Sequence, residues 1–524
     1  MYDTIIRHGR IIDGTGRSWY HADIGIADGK IAAIGCLAAE PAETEFNADG
    51  LYISPGFIDI HTHSDKTLSE CCLSESRILQ GVTTEIGGNC GMSAFPVTES
   101  HLSDLDIYMS AKLSYEWKDT REFLTYLESR GSSTNFGCLV GHGSLRIAVM
   151  GMSPDSASSD QLRHMYCLAK SSLEQGAFGI SSGLIYPPGS YSDKAEMIAV
   201  LKAVKECGGY YATHMRNEAQ YLVDSVKESI EVCEAAGVPL HISHHKSLHK
   251  PLWGKAVLET TAMIEAARER GLDVTCDQYP YNASSTVISS NIPSWGFEGG
   301  FDCLVERLHN PELRRKLKEE SDENHLNRWQ DIFVSSVVTE KNRWMVGKDV
   351  VELGHILSKS PADVVFDLVE EEKNQAYEVN FGMSEEDIEY IMSKDYVMPA
   401  SDGEARTLHE SGRPHPMSYG TFPRVLAHYC RDRQLFPIEE AIRKMTSLPA
   451  SRLGLENRGI LKEGYAADLV IFDLQQLKSN PDYHHPMQPC DGIKYVFVNG
   501  VLTAEKGRHT GAKAGKILRK NKKD

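Results

Sequence analysis

Eight short apolar runs recur along the middle of this chain, and helical stretches separate most of them. The runs cover residues 57–61, 83–86, 136–140, 178–182, 210–214, 240–244, 274–278 and 396–401. Apolar runs of this length read as buried strands. Strands alternating with helices pair in parallel, because each helix returns the chain to the end where the strand began. Residues 224–237 and 255–271 are two such helical stretches, and each ends in the glycine that stops a helix. Eight strands of this kind close a (β/α)8 TIM-type barrel. A chain of 524 residues has room for that barrel and a satellite domain.

The two ends have a different texture. Residues 1–54 and 455–524 hold short alternating runs with hairpin signals at Asp28-Gly29 and Asn499-Gly500. This points to one small β domain built from both termini around the barrel of residues 55–454. The interval 282–395 is far longer than one strand-to-helix connection, so it is an insertion. It contains an amphipathic helical stretch at 303–320 and a polar aromatic stretch at 327–336. Two roles are open for it, a lid over the C-terminal face of the barrel or a purely structural elaboration. The basic tail at 513–524 reads as a frayed, solvated end.

Chemistry concentrates at the predicted strand ends. The first run finishes in His61-Thr62-His63, and side chains two apart in an extended chain point the same way. Both imidazoles can therefore meet one metal. Cys90 follows the second run, His214 ends the fifth, His244 ends the sixth and Asp402 follows the eighth. Barrel enzymes gather their active residues at these ends, and thiolate with imidazole is a zinc donor set. Other readings stay open: Cys90 as an inert buried thiol, Asp402 as a turn residue before Gly403. His241 lies deeper in its strand as a core residue, and His245 points to the opposite side from His244.

Several stretches resemble a known family. Residues 56–63 (GFIDIHTH) resemble the first barrel strand of the amidohydrolase superfamily. Residues 81–96 (GVTTEIGGNCGMSAFP), 212–218 (ATHMRNE), 241–246 (HISHHK) and 400–406 (ASDGEAR) resemble its N-acyl-D-amino-acid deacylase (D-aminoacylase) branch, in order through nearly the whole chain. The resemblance implies that the terminal β domain is a β-sandwich. It implies that Cys90, His214 and His244 hold a tightly bound Zn2+, with His61 and His63 forming a second, weaker site. It implies that Asp402 moves the proton, and that Lys246, Tyr186, Tyr281 and Arg413 grip the substrate's carboxylate. Salt-bridge or turn residues at the barrel rim are the other reading of those four. Arg216 and Glu218 would support the ligand loop. Hydantoinase-like relatives bridge two metals with a carboxylated lysine at the end of strand 4, and residues 179–186 here contain no lysine.

The expected reaction is zinc-dependent hydrolysis of an N-acyl-D-amino acid to a carboxylate and a D-amino acid. Zinc can lower the pKa of bound water from about 16 to about 7, which makes roughly 12 kcal/mol of hydroxide available. That hydroxide would attack the carbonyl, and Asp402 would pass its proton to the leaving amine. No GxSxG elbow, HExxH helix or Walker loop competes. Two alternatives stand beside this reading: another carboxylate-bearing amide as substrate (a D-configured dipeptide or cyclic imide), or a non-catalytic scaffold. The formal charge of −18 disfavours nucleic acid and anionic membranes as partners. Twelve cysteines without framework spacing suit reduced thiols in the cytoplasm.

Overall fold

The computed structural model describes residues 1–109, 113–325 and 328–520. Its centre is a ring of parallel strands. In chain order these are barrel strand 1 (Phe57–Asp59), strand 2 (Val82–Gly87), strand 3 (Asn135–Cys138, continued by Val140–Gly141), strand 4 (Gly179–Gly183), strand 5 (Tyr210–His214), strand 6 (Leu240–Ile242), strand 7 (Val274–Gln278) and strand 8 (Val397–Pro399). Strands 1 to 3 form one hydrogen-bonded sheet, and the continuation of strand 3 through strand 8 forms another. The ring closes between strands 8 and 1, where Asp402 N–H donates to the His61 carbonyl (3.0 Å) and His63 N–H to that of Gly403 (2.7 Å). Every residue of these strands is buried, which is why they read as continuous apolar or small runs and not as alternating ones.

Helices Leu222–Ala236 and Ala256–Glu269 cover the outside. Gly237 ends the first with φ +68°, where a side chain would be strained. Within the insertion, strands Ser284–Val287, Tyr377–Asn380 and Ile332–Ser336 form a small antiparallel sheet with Tyr377–Asn380 in the middle. The helix expected at 303–320 is two helices, Phe301–His309 and Pro311–His325. Pro311 has no N–H to continue the first, but it is well suited to open the second.

The termini build a separate nine-stranded sheet. Tyr2–Ile11 pairs with Tyr20–Ala27 on one side. On the other it pairs with Ala42–Asn47 and then Tyr52–Pro55. Tyr52–Pro55 in turn pairs with Leu469–Phe472, which leads on to Ile493–Val498 and Val501–Glu505. Both expected hairpins form, with φ positive at Asp28, Gly29, Asn499 and Gly500 as a type I′ turn requires. Ile6, Ile24, Ile53, Leu469 and Phe497 share the core of this unit.

The tail departs from expectation. Residues 513–520 are docked, not frayed: Phe136 N–H donates to the Lys516 carbonyl (2.9 Å) and Leu518 N–H to that of Phe136 (2.7 Å). The tail thus occupies the lower edge of strand 3, and Leu518 is buried there.

Candidate metal centre

Four side chains from three strand ends and one glycine-rich loop converge at the top of the ring. One ligand atom from each of His61, Cys90, His244 and Asp402 falls within 4.8 Å of all the others. His61 Nε2 lies 3.3 Å from Cys90 Sγ and 3.1 Å from Asp402 Oδ1. His244 Nε2 lies 3.4 Å from the same sulfur, and His63 Nε2 lies 3.1 Å from the same carboxylate oxygen. His214, Glu218 and His244 make a second such group. The two groups share His244, and His63 reaches the first through Asp402, so the residues predicted as metal-competent are brought together.

The backbone is bent to achieve this. Cys90 (φ +51°), His244 (φ +35°) and Asp402 (φ +56°) all occupy the left-handed region, at a cost of about 1–3 kcal/mol each. Strain of this kind persists only where the surroundings hold it. Around Asp402 the holder is Arg77, fully buried. Its guanidinium donates to Ser401 Oγ (2.8 Å) and the Glu404 carbonyl (2.9 Å), while Gly403 N–H donates to Ser401 Oγ. Around Cys90 the glycines serve close backbone approach: a Cβ on Gly91 would overlap Gly183, and one on Gly183 would overlap the Cys90 carbonyl.

A layer of acids aims the imidazoles. Asp277, at the end of strand 7, accepts from His61 Nδ1 (2.9 Å), His241 Nε2 (2.8 Å) and the His244 N–H (2.8 Å). That leaves His61 Nε2 free to face the cluster. Glu218 Oε1 lies 2.8 Å from His244 Nδ1, and its other oxygen holds Lys246 Nζ at 2.6 Å. Asp277 is the functional residue that the sequence reading missed. The available signal was a carboxylate near the end of a buried barrel strand, at the side where the candidate ligands gather. His241 is a buried partner of Asp277, and His245 bonds Thr260 Oγ1 (2.9 Å) on the far side, as its parity required.

Electrostatics and hydrogen bonding suit a cation. Burial alone would raise the Cys90 thiol, but His61 and His244 bring it well below the usual thiol range. Burial would likewise raise Asp402, yet the same two histidines hold it well below the usual carboxylate range. Among the described residues neither ring nitrogen of buried His214, nor Nδ1 of His63, has a hydrogen-bond partner, and buried polar atoms in that state call for an explanation. Thiolate, imidazole and carboxylate donors with unsatisfied nitrogens fit zinc.

The clusters open into a cavity of about 560 Å³, a size for a small organic molecule. His63, Lys246 and Tyr186 line it, as do Thr286, Asn291 and Glu378 of the insertion. Tyr186 OH bonds Thr286 Oγ1 at 2.9 Å. Tyr279 lines the cavity, whereas Tyr281 packs outside it with its hydroxyl on the Pro416 carbonyl (3.3 Å). Strand 7 ends at Gln278 and the chain turns through Pro280, so the earlier tyrosine faces inward. Arg413 is exposed and lies against Gly347, while its neighbours Pro414 and His415 do reach the cavity wall. Arg216 pairs with Glu228 (3.1 Å) and caps the Ser190 and Ser192 carbonyls, which braces the loop after strand 5.

The profile of the Amidohydrolase family matches residues 44–265 and 400–504. The D-aminoacylase of Alcaligenes xylosoxydans xylosoxydans is 36% identical over 518 residues, 99% of this chain and 97% of that protein. The N-acyl-D-glutamate deacylase of the same organism is 32% identical over 521 residues, 99% and 97% of the two chains. A crystal structure of D-aminoacylase superposes with a TM-score of 0.83 at 35% identity, covering 99% of this chain and 100% of the other. The N-acyl-D-glutamate deacylase from Bordetella bronchiseptica, complexed with zinc and a phosphonate mimic of the tetrahedral intermediate, gives 0.84 at 30% identity over 99% of both. The chain belongs to the amidohydrolase family, in the branch of the D-aminoacylases and N-acyl-D-glutamate deacylases.

Proposed function

We propose that this protein hydrolyses the amide bond of N-acyl-D-amino acids, releasing a carboxylate and a D-amino acid. The observation that carries this reading is the convergence of Cys90, His61, His244 and Asp402 within 4.8 Å at the floor of a small-molecule cavity, in a chain of the deacylase branch. Cys90, His214 and His244 would hold one zinc, and His61 and His63 a second. Glu218 stays behind them, its oxygens engaged by Lys246 and His244 Nδ1. Zinc, when bound, makes water a usable nucleophile near neutral pH and polarises a carbonyl.

The chain's own residues do the rest. Asp402 stands 3.1 Å from both His61 Nε2 and His63 Nε2, so it is placed to take the proton of the attacking water and return it to the leaving nitrogen. Asp277 and Glu218 fix the ring orientations. Lys246 and Tyr186 face the cavity and supply a cation and a hydroxyl for the α-carboxylate. Arg413, on the loop that brings Pro414 and His415 to the cavity wall, is a further candidate for that carboxylate. All 12 cysteines are free thiols, which supports a reducing, cytoplasmic setting. Among the described residues no helix is long and apolar enough to cross a membrane.

The test is a zinc-loaded assay over paired D and L N-acyl-amino acids with detection of free amine. Hydrolysis of the D series is expected, and preference for the L series or inactivity on both would defeat the reading. Asp402→Asn should keep its zinc while losing about 100-fold or more in kcat. Turnover within a few-fold of wild type would remove Asp402 from the mechanism.

A further inference from the structure

Glu378 is a buried carboxyl on the cavity wall with no cation beside it. It is 2% exposed and makes no ion pair among the described residues. One oxygen accepts a hydrogen bond from Asn291 Nδ2, a nitrogen that also donates to the Ile288 carbonyl at 2.7 Å. Among the described residues the Asn291 bond is the one side-chain hydrogen bond its carboxylate accepts. The other buried glutamates of the wall are both neutralised: Glu218 by Lys246 at 2.6 Å and Glu404 by Arg406 at 2.6 Å.

The direction in which Glu378 faces follows from sheet register. Glu378 stands directly opposite Thr286 in the antiparallel pair, and directly opposed residues project from the same face. Thr286 Oγ1 is bonded to Tyr186 OH, and the Tyr186 ring lies 5.0 Å from that of His214. The face that carries Glu378 is therefore turned toward the metal centre. Burial pushes this carboxyl up to about 8, opposed only by the Asn291 hydrogen bond. A cation brought to it would replace the missing counter-charge.

Resting on the deacylase reading, we infer that Glu378 is a specificity residue that takes a primary ammonium or guanidinium of the substrate. The favoured substrates are then N-acyl-D-amino acids with a cation on the side chain or on the acyl arm. A charge-assisted hydrogen bond in a buried site is worth roughly ten- to a hundredfold.

Two matched pairs separate the sources of the cation. N-acetyl-D-arginine against N-acetyl-D-citrulline puts it on the side chain. N-(5-aminopentanoyl)-D-leucine against N-hexanoyl-D-leucine puts it on the acyl arm. With zinc-loaded enzyme, kcat/KM should favour the cationic member of one pair by about ten- to a hundredfold. Glu378→Gln should collapse that ratio toward one, and Glu378→Asp should keep part of it. No preference in either pair for the wild type overturns the inference, even if neither variant folds. So does a Glu378→Gln loss equal on both members. If no D-substrate turns over, the deacylase reading fails and calorimetric binding of the same four compounds decides here. Tighter binding of a cationic member by wild type but not by Glu378→Gln sustains the role of Glu378, and equal binding removes it.

Discussion

Glu196 shows what a buried charge does away from the cavity. It sits in the first turn of helix Lys194–Cys207, 4% exposed, with its carboxylate 2.8 Å from His142 Nε2 and paired with Arg146 of helix His142–Met150. Burial would raise its pKa, but the hydrogen bond and charge of His142, followed by those of Arg146, bring it down to about 2. The folded value lies below the unfolded one of about 4.3. The stabilisation is thus complete above about pH 5 and is lost as pH falls toward 2. Glu196→Gln should cost about 3 kcal/mol at neutral pH, because it leaves Arg146 buried without its partner. It should also flatten the acid side of the stability profile, as read by urea unfolding between pH 2 and 7. An unchanged acid slope would show that Glu196 titrates alike in both states. At this scale the candidate ligands were legible as candidates, because His61, His63, Cys90, His214, His244 and Asp402 each stand at or just after an apolar run. Asp277 and Glu378 were not, since their roles depend on which neighbour across a sheet they meet.

Among the elements, the loop of Gly87 to Gly91 controls the metal centre through strand 4. Gly183 ends that strand with the Cys90 carbonyl packed on its α-carbon, leaving no room for a methyl group. Gly183→Ala should push the Cys90 backbone outward and loosen the zinc while the barrel stays folded. Zinc content by elemental analysis should fall well below that of wild type, with the circular dichroism spectrum unchanged. Full zinc retention would mean that the loop can yield without moving the thiolate. The glycines around Cys90 are needed for contact with neighbouring strands, which no local pattern in the sequence reveals. The three strands of the insertion were also hidden, because SSTV, IFVSS and YEVN are short and mixed in polarity. Their pairing joins segments about 50 and 90 residues apart, which no local pattern encodes.

For the whole molecule, the barrel was readable because eight buried strands leave eight apolar runs. The docking of the tail was not readable, since it is held mostly by backbone bonds that a polar sequence conceals. A chain ending at residue 512 should lose roughly 3–6 kcal/mol for the two buried side chains of Ile517 and Leu518. Thermal unfolding of that truncation should begin at lower temperature, and an unchanged Tm would show the tail to be ornamental. The docking also has a consequence in time. Lys516 N–H donates to Asn135 Oδ1 across 381 residues of chain. At about 5–20 residues per second, strand 3 leaves the ribosome on the order of 20 s to over a minute before the segment that completes its edge. During synthesis the floor of the barrel therefore stays open, and a nascent chain of this protein presents a bare strand edge to chaperones for most of its time on the ribosome.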